Sequence, residues 1–167
     1  MKRQVFFSFE YNKDNWRAAQ VRRMGQVENN STFSDNSWEK VKRGTDLSIK
    51  RWIDKEMMMR SCVVVLIGST TANRKWINYE IKKAYELNKG MVGVYINRLE
   101  GADGTQSSEG SNPFQFILAD NGNWLSKYVN CFKSSFESSK YVYQDIEENL
   151  EDLIEYAVNN KVPHSFI

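Results

Sequence analysis

The sequence predicts an α/β fold: a doubly wound, mainly parallel sheet with helices on both faces. Three observations carry that prediction. "CVVVLIG" (Cys62–Gly68) and "MVGVYIN" (Met91–Asn97) are unbroken apolar runs, as expected of strands covered on both sides. Between them, Asn73–Gly90 has helical period, with Ile77, Ile81 and Ala84 on one stripe. A further strand-then-helix unit precedes them, and repeated units of this kind build a parallel sheet.

The first strand is "QVFFSF", Gln4–Phe9, rich in β-forming and aromatic residues. A polar turn follows, in which Asn12 or Asp14 can cap a helix over Trp16–Met24, with Gly25 as its stop. "QVENNSTFSDNS" reads as a loop, with room for a very short strand near Phe33. A second helix is expected over Asp46–Met59, capped by Thr45, because Ile49, Trp52, Ile53 and Met57 fall at amphipathic spacing. The helix after Cys62–Gly68 is expected to stop at Gly90. Glu100–Pro113 reads as a Gly/Ser-rich loop that carries no core and is mobile. Within 114–143, "WLSKYVNCF" and "KYVYQ" fit short strands or a helix. Asp145–Asn160 reads as a closing helix, with Asp145 and Glu148 as a capping box. The whole, 1–167, is read as one domain: a core of about 3–114 and a C-terminal extension, 115–167, ending in a helix.

The 167 residues are 41% hydrophobic and 13% aromatic, enough for a packed core. A net charge of +2 gives no reason to expect nucleic acid. No segment approaches a membrane span or a signal peptide, so the expected location is cytoplasmic. Two cysteines far apart and a single histidine, His164, offer neither a staple nor a metal-ligand spacing. Cys62, inside a strand, suits a packed thiol.

In open α/β sheets, ligands collect beyond the carboxyl ends of the strands. That rule selects "SFEYNKD" after the first strand and "GSTTANRKW" after the central one. Glu80 lies in the first turns of the helix leaving the second loop, about 40° around from Trp76. It is either a candidate cleft carboxylate or a rim residue paired with Lys83. Tyr11 suits ring stacking and Phe9 suits the core, while Ser8 and Asn12 share their loop. Trp76 suits a core anchor or a stacking surface, and Ser69 a turn cap or a ligand contact. Arg17 suits a pyrophosphate contact or a solvated helix face, and Trp38 a packing anchor or a ligand contact. No GxxxxGK[ST] spacing and no G-x-G-x-x-G are present, and one terminal histidine leaves no Ser-His-Asp triad. The acids of a phospho-receiver domain are also missing, with Ser8 and Glu10 in one place and Gly68–Ser69 in the other.

"VFFSFEYNKD", "SDNSWEKVK", "CVVVLIGSTTANRKWINYEI", "GVYIN" and "NPF" together resemble the TIR-like domains of the Thoeris antiphage system, of ThsB type. The resemblance spans roughly residues 3–114 and implies a flavodoxin-like TIR fold. It also implies cleavage of the nicotinamide–ribose bond of NAD+, with ADP-ribose rejoined as a cyclic signal for an effector protein. Glu80 then matches the family's catalytic glutamate. Ser8, Phe9, Tyr11, Asn12, Arg17, Trp38, Ser69 and Trp76 are the expected binding residues, and Asp35, Ser37 and Glu39 accompany Trp38. NAD+ is substrate, with no cofactor and no metal expected. A homo-oligomer is among the expected partners, and nucleic acid and membrane are not. The reading from another class is a TIR-like signalling module that binds a nucleotide or protein without turnover.

Overall fold

Among the described residues, four strands, β1 (Val5–Ser8), β2 (Cys62–Ile67), β3 (Gly90–Tyr95) and β4 (Cys131–Phe132), form one parallel sheet in the order β1-β2-β3-β4. The computed structural model describes residues 3–24 and 43–164. The register places Ser8 beside Val65, so β2 runs two residues past the end of β1. Every residue of β2 is buried, as its continuous apolar run requires.

Alternation along the strands divides the core into two layers. Phe6, Val63, Val65 and Met91 face helices α2 (Asp46–Met58) and α3 (Lys75–Glu86), meeting Ile49, Ile53, Ile77 and Ile81. Val5, Phe7, Val64, Leu66 and Val92 face α1 (Tyr11–Arg22) and α4 (Ser139–Asn159), meeting Ala18, Val21, Ile146, Leu150 and Ile154. Helices therefore cover both faces of a parallel sheet, the doubly wound arrangement expected. Residues beyond 115 supply β4 and α4 to this same sheet and core. Cys62 is a buried free thiol.

Thr45 caps α2 as expected, its hydroxyl accepting from the Ser48 N–H at 3.2 Å. Three boundaries differ from expectation. The first helix begins at Tyr11 rather than near Trp16; neither Asn12 nor Asp14 caps it, and Asp14 turns inward to Arg17 instead. Helix α3 ends at Glu86, and Asn88 takes the left-handed conformation (φ 54°). Gly90 is thus no helix stop: it opens β3, where a Cβ would come within 2.9 Å of the Ala157 backbone on α4. Helix α4 starts at Ser139 with Ser138 as cap, its hydroxyl accepting from the Tyr141 N–H. "KYVYQ" is therefore helical, and Asp145 lies inside the helix, accepting from Asn149 rather than forming a capping box.

The loop from Glu100 to Asn112 also departs from its expected looseness. Most of its side chains are exposed, yet its backbone is tied to the body at several points. Arg17 donates to Leu99 O at 2.8 Å and Thr105 O at 2.9 Å, and the Ser107 N–H donates to Asn97 O at 2.8 Å. Gly110 packs so closely on the Gly68–Ser69 peptide that a Cβ there would lie 2.2 Å from Gly68 O. The polar composition describes the outer surface of this loop, and the backbone hydrogen bonds hold its inner surface. The expected strand near Phe33 and the Gly25 stop lie outside the described residues. Among the described residues, no helix is long and apolar enough to cross a membrane.

Candidate active site

Beyond the carboxyl ends of β1 and β2, a cleft of about 280 Å³ opens between two segments. One wall is the β1–α1 connection, Phe9 to Asn12; the other is the start of α3, Arg74 to Ile77. Glu80 closes the floor, only 5% exposed. The apolar stripe that seats α3 on the sheet places it there: Ile77, Ile81 and Ala84 are buried, and Glu80 is carried in beside them.

The Glu80 carboxylate Oε2 accepts from the Ser8 hydroxyl at the end of β1. Among the described residues no cation pairs with it. Lys83, the partner expected of a rim glutamate, instead lies 3.9 Å from Asp54 and 3.4 Å from Glu86. Burial pushes the Glu80 carboxyl up to about 8, and the Ser8 hydrogen bond opposes this as the smaller effect. Near neutral pH the Glu80 carboxyl is therefore mostly protonated, and a positive charge beside it would favour its ionised form.

Of the residues singled out from the sequence, Glu80, Phe9, Tyr11, Asn12 and Trp76 line the cleft, and Ser8 touches it through Glu80. Phe9 and Tyr11 form a tilted ring pair with centroids 6.4 Å apart. Trp76 serves two purposes, packing against the core while presenting surface to the cleft. Its ring meets the Tyr79 edge at 5.9 Å, and Lys75 Nζ lies 5.0 Å from its centroid.

Arg17 and Ser69 are not brought to the cleft lining. Arg17 is 7% exposed and spends its donors on Leu99 O, Thr105 O and Asp14, so it holds the 100–112 loop instead. Ser69 faces that same loop, its peptide against Gly110. Trp38, with Asp35, Ser37 and Glu39, lies outside the described residues. Sequence reasoning passed over Glu10, Arg74 and Lys75, all in the lining. Their adjacency to Phe9, Tyr11 and Trp76 was the available signal. Glu10 accepts from the Thr70 hydroxyl and pairs with Arg74 at 2.8 Å, joining the two walls. Among the described residues no group of acids, His and Cys could hold a metal ion.

Two comparisons bear on this arrangement. The family described as "Thoeris protein ThsB, TIR-like domain" matches residues 6–101, which contain all of β1 but its first residue, Glu80 and both cleft walls. A Bacillus cereus (strain MSX-D12) protein named "Putative cyclic ADP-D-ribose synthase ThsB1" is 32% identical over 173 residues, spanning 99% of this chain and 84% of its own length. The parallel sheet, the matched segment and the near full-length relative agree: the chain belongs to the Thoeris ThsB TIR-like family.

Proposed function

We propose that this protein cleaves the nicotinamide–ribose bond of NAD+ and closes the ADP-ribose into a cyclic product. The observation that carries the reading is Glu80: a buried carboxyl with no counter-cation among the described residues, hydrogen-bonded to a serine, at the base of an aromatic-walled cleft. The relative's name supports the same reading.

In this reaction the C1′–N bond breaks and its electron pair goes to nicotinamide, cancelling the pyridinium charge. The ribosyl fragment left behind is oxocarbenium-like. Ionised Glu80 stabilises that cation and holds a ribose hydroxyl, while Ser8 fixes which carboxylate oxygen faces it. A nucleophilic atom of the same ADP-ribose then bonds to C1′ and gives up its proton to the carboxylate or to water. Nicotinamide is a good leaving group, so one carboxylate suffices without a second acid. Phe9, Tyr11 and Trp76 bound the flat rings and keep water from capturing the cation.

NAD+ is substrate here and no further cofactor is invoked. The reaction takes place in the cytoplasm, and the cyclic product serves as a signal to an effector protein in antiphage defence. The test is incubation of purified protein with NAD+, with nicotinamide and the ADP-ribose product resolved by chromatography and mass spectrometry. Nicotinamide with a product one water lighter than ADP-ribose supports the proposal. NAD+ that binds but is never consumed, including in extracts of phage-infected cells, favours a non-catalytic module.

A further inference from the structure

We infer that Arg74, aimed by Glu10, forms a diphosphate-binding subsite at the mouth of the cleft. The inference rests on the reading of this cleft as a dinucleotide site and assigns the part of the ligand that Glu80 does not touch.

Three features converge there. Arg74 stands at the N-cap of α3 and its side chain is 47% exposed, yet it is held from two sides. Its Nε donates to Thr70 O at 2.7 Å and one terminal nitrogen pairs with Glu10 Oε1 at 2.8 Å. The hydrogen bond engages one of the five N–H groups a guanidinium carries, the Glu10 contact is an ion pair, and N–H groups remain for a ligand. Holding a flexible side chain in advance reduces the ordering that binding demands.

Second, Glu10 is committed. It is 8% exposed, with Oε1 on Arg74 and Oε2 accepting from Thr70, so both oxygens are occupied. It acts as a positioning residue that fixes the guanidinium, rather than as a second reacting carboxylate. Third, no side chain caps α3 and its first turn carries no acid. Its first N–H groups and the positive end of its dipole therefore favour an anion.

The remaining charges agree. Lys75 lies on the same wall, bonded to Asp46 and standing over Trp76. Arg74 precedes Glu80 by six residues, about 9 Å along the helix axis. A ribose 5′-phosphate bridges a separation of that order. A dinucleotide with its ribosyl C1′ beside Glu80 thus brings its diphosphate to Arg74, where a planar fork of donors matches phosphate oxygens.

The test is calorimetric titration of ADP-ribose and, separately, adenosine into wild type, Arg74→Ala, Arg74→Lys, Glu10→Gln and Glu80→Gln. Melting curves confirm folding. Arg74→Ala should weaken ADP-ribose binding about 10–100-fold, the range for losing a charge-assisted hydrogen bond, and leave adenosine binding unchanged. Arg74→Lys should fall between the two, which also serves if the alanine variant folds poorly. Glu10→Gln should weaken ADP-ribose binding by a smaller factor, and by nothing further in an Arg74→Ala background. Glu80→Gln, which loses only the hold on a ribose hydroxyl, should weaken ADP-ribose binding less than Arg74→Ala does. Equal ADP-ribose binding by wild type and Arg74→Ala, an equal loss for adenosine, or no ADP-ribose binding by wild type overturns the inference. If wild type releases no nicotinamide yet binds ADP-ribose through Arg74, the proposed reaction fails and the subsite stands.

Discussion

Asp14 and Glu80 are both carboxylates buried near the carboxyl edge of the sheet, at 1% and 5% exposure, and the fold treats them in opposite ways. Asp14 is closed in. Arg17 pairs with its Oδ1 at 3.2 Å, and its Oδ2, without a hydrogen bond, lies against Gly68 where any Cβ would collide. Glu80 has a serine hydroxyl, no cation among the described residues, and an opening onto a cleft. Burial raises both, and for Asp14 the Arg17 charge works against the rise. Burial alone therefore marks neither group as functional. A carboxyl that is buried, left without a counter-charge and still reachable is the one that can answer an incoming cation.

Removing the counter-charge of the closed pair should give the largest stability effect. Arg17→Ala strands Asp14 in the core and releases the carbonyls of Leu99 and Thr105. Breaking a buried ion pair from one side costs about 3–5 kcal/mol, so chemical denaturation should show a loss of that size. A loss under about 1 kcal/mol would mean that water reaches Asp14 and that the two carboxylates are not so different.

The open carboxyl should reveal itself through pH. Its folded value of about 8 lies above its unfolded value near 4.5. Between those values the folded state keeps a proton that the unfolded state has released, so stability falls as pH rises. Glu80's favourable contribution is complete below about 4.5 and gone above about 8. At about 1.36 kcal/mol per unit, the full swing is of the order of 5 kcal/mol. Asp14, also raised, adds a slope of the same sign. Urea unfolding from pH 5 to 8 should lose much of its downward slope in Glu80→Gln. An unchanged slope would show Glu80 solvated.

The smallest effect concerns the loop that Arg17 holds. Gly110→Ala drives a Cβ to 2.2 Å from the Gly68 carbonyl. Overpacking of this kind costs about 1–3 kcal/mol, whereas a loop free of the body would shift its melting temperature hardly at all.

That last contrast also shows what the sequence makes legible. The strands β2 and β3, the Thr45 cap and the α3 stripe are written in consecutive residues, and they fold as read. Glu80 could be placed because strand order and helix period together carry it to the sheet's edge. Arg17 could not, since its partners Leu99 and Thr105 are 82 and 88 residues away and offer backbone carbonyls, which leave no trace in residue type. Gly90 reads as a helix stop because glycine often is one, while its actual constraint is an α4 backbone far along the chain. Glu10 and Arg74 lie 64 residues apart, and each alone looks like an ordinary surface charge. Local pattern fixes elements, and long-range partners fix roles.

The central claim is that Glu80 supplies the charge that stabilises the ribosyl cation. It is tested most directly by nicotinamide release from NAD+ by wild type and Glu80→Gln, side by side, across pH 6 to 9. Gln keeps the shape of the side chain and removes its charge. With both proteins folded, wild-type kcat/KM should rise toward an inflection near pH 8, where free Glu80 ionises. Glu80→Gln should be slower by about 10²–10⁴-fold and lack that rise, while NAD+ binding weakens far less than turnover. Equal rates and equal pH profiles from two equally folded proteins would contradict the account and remove Glu80 from the mechanism.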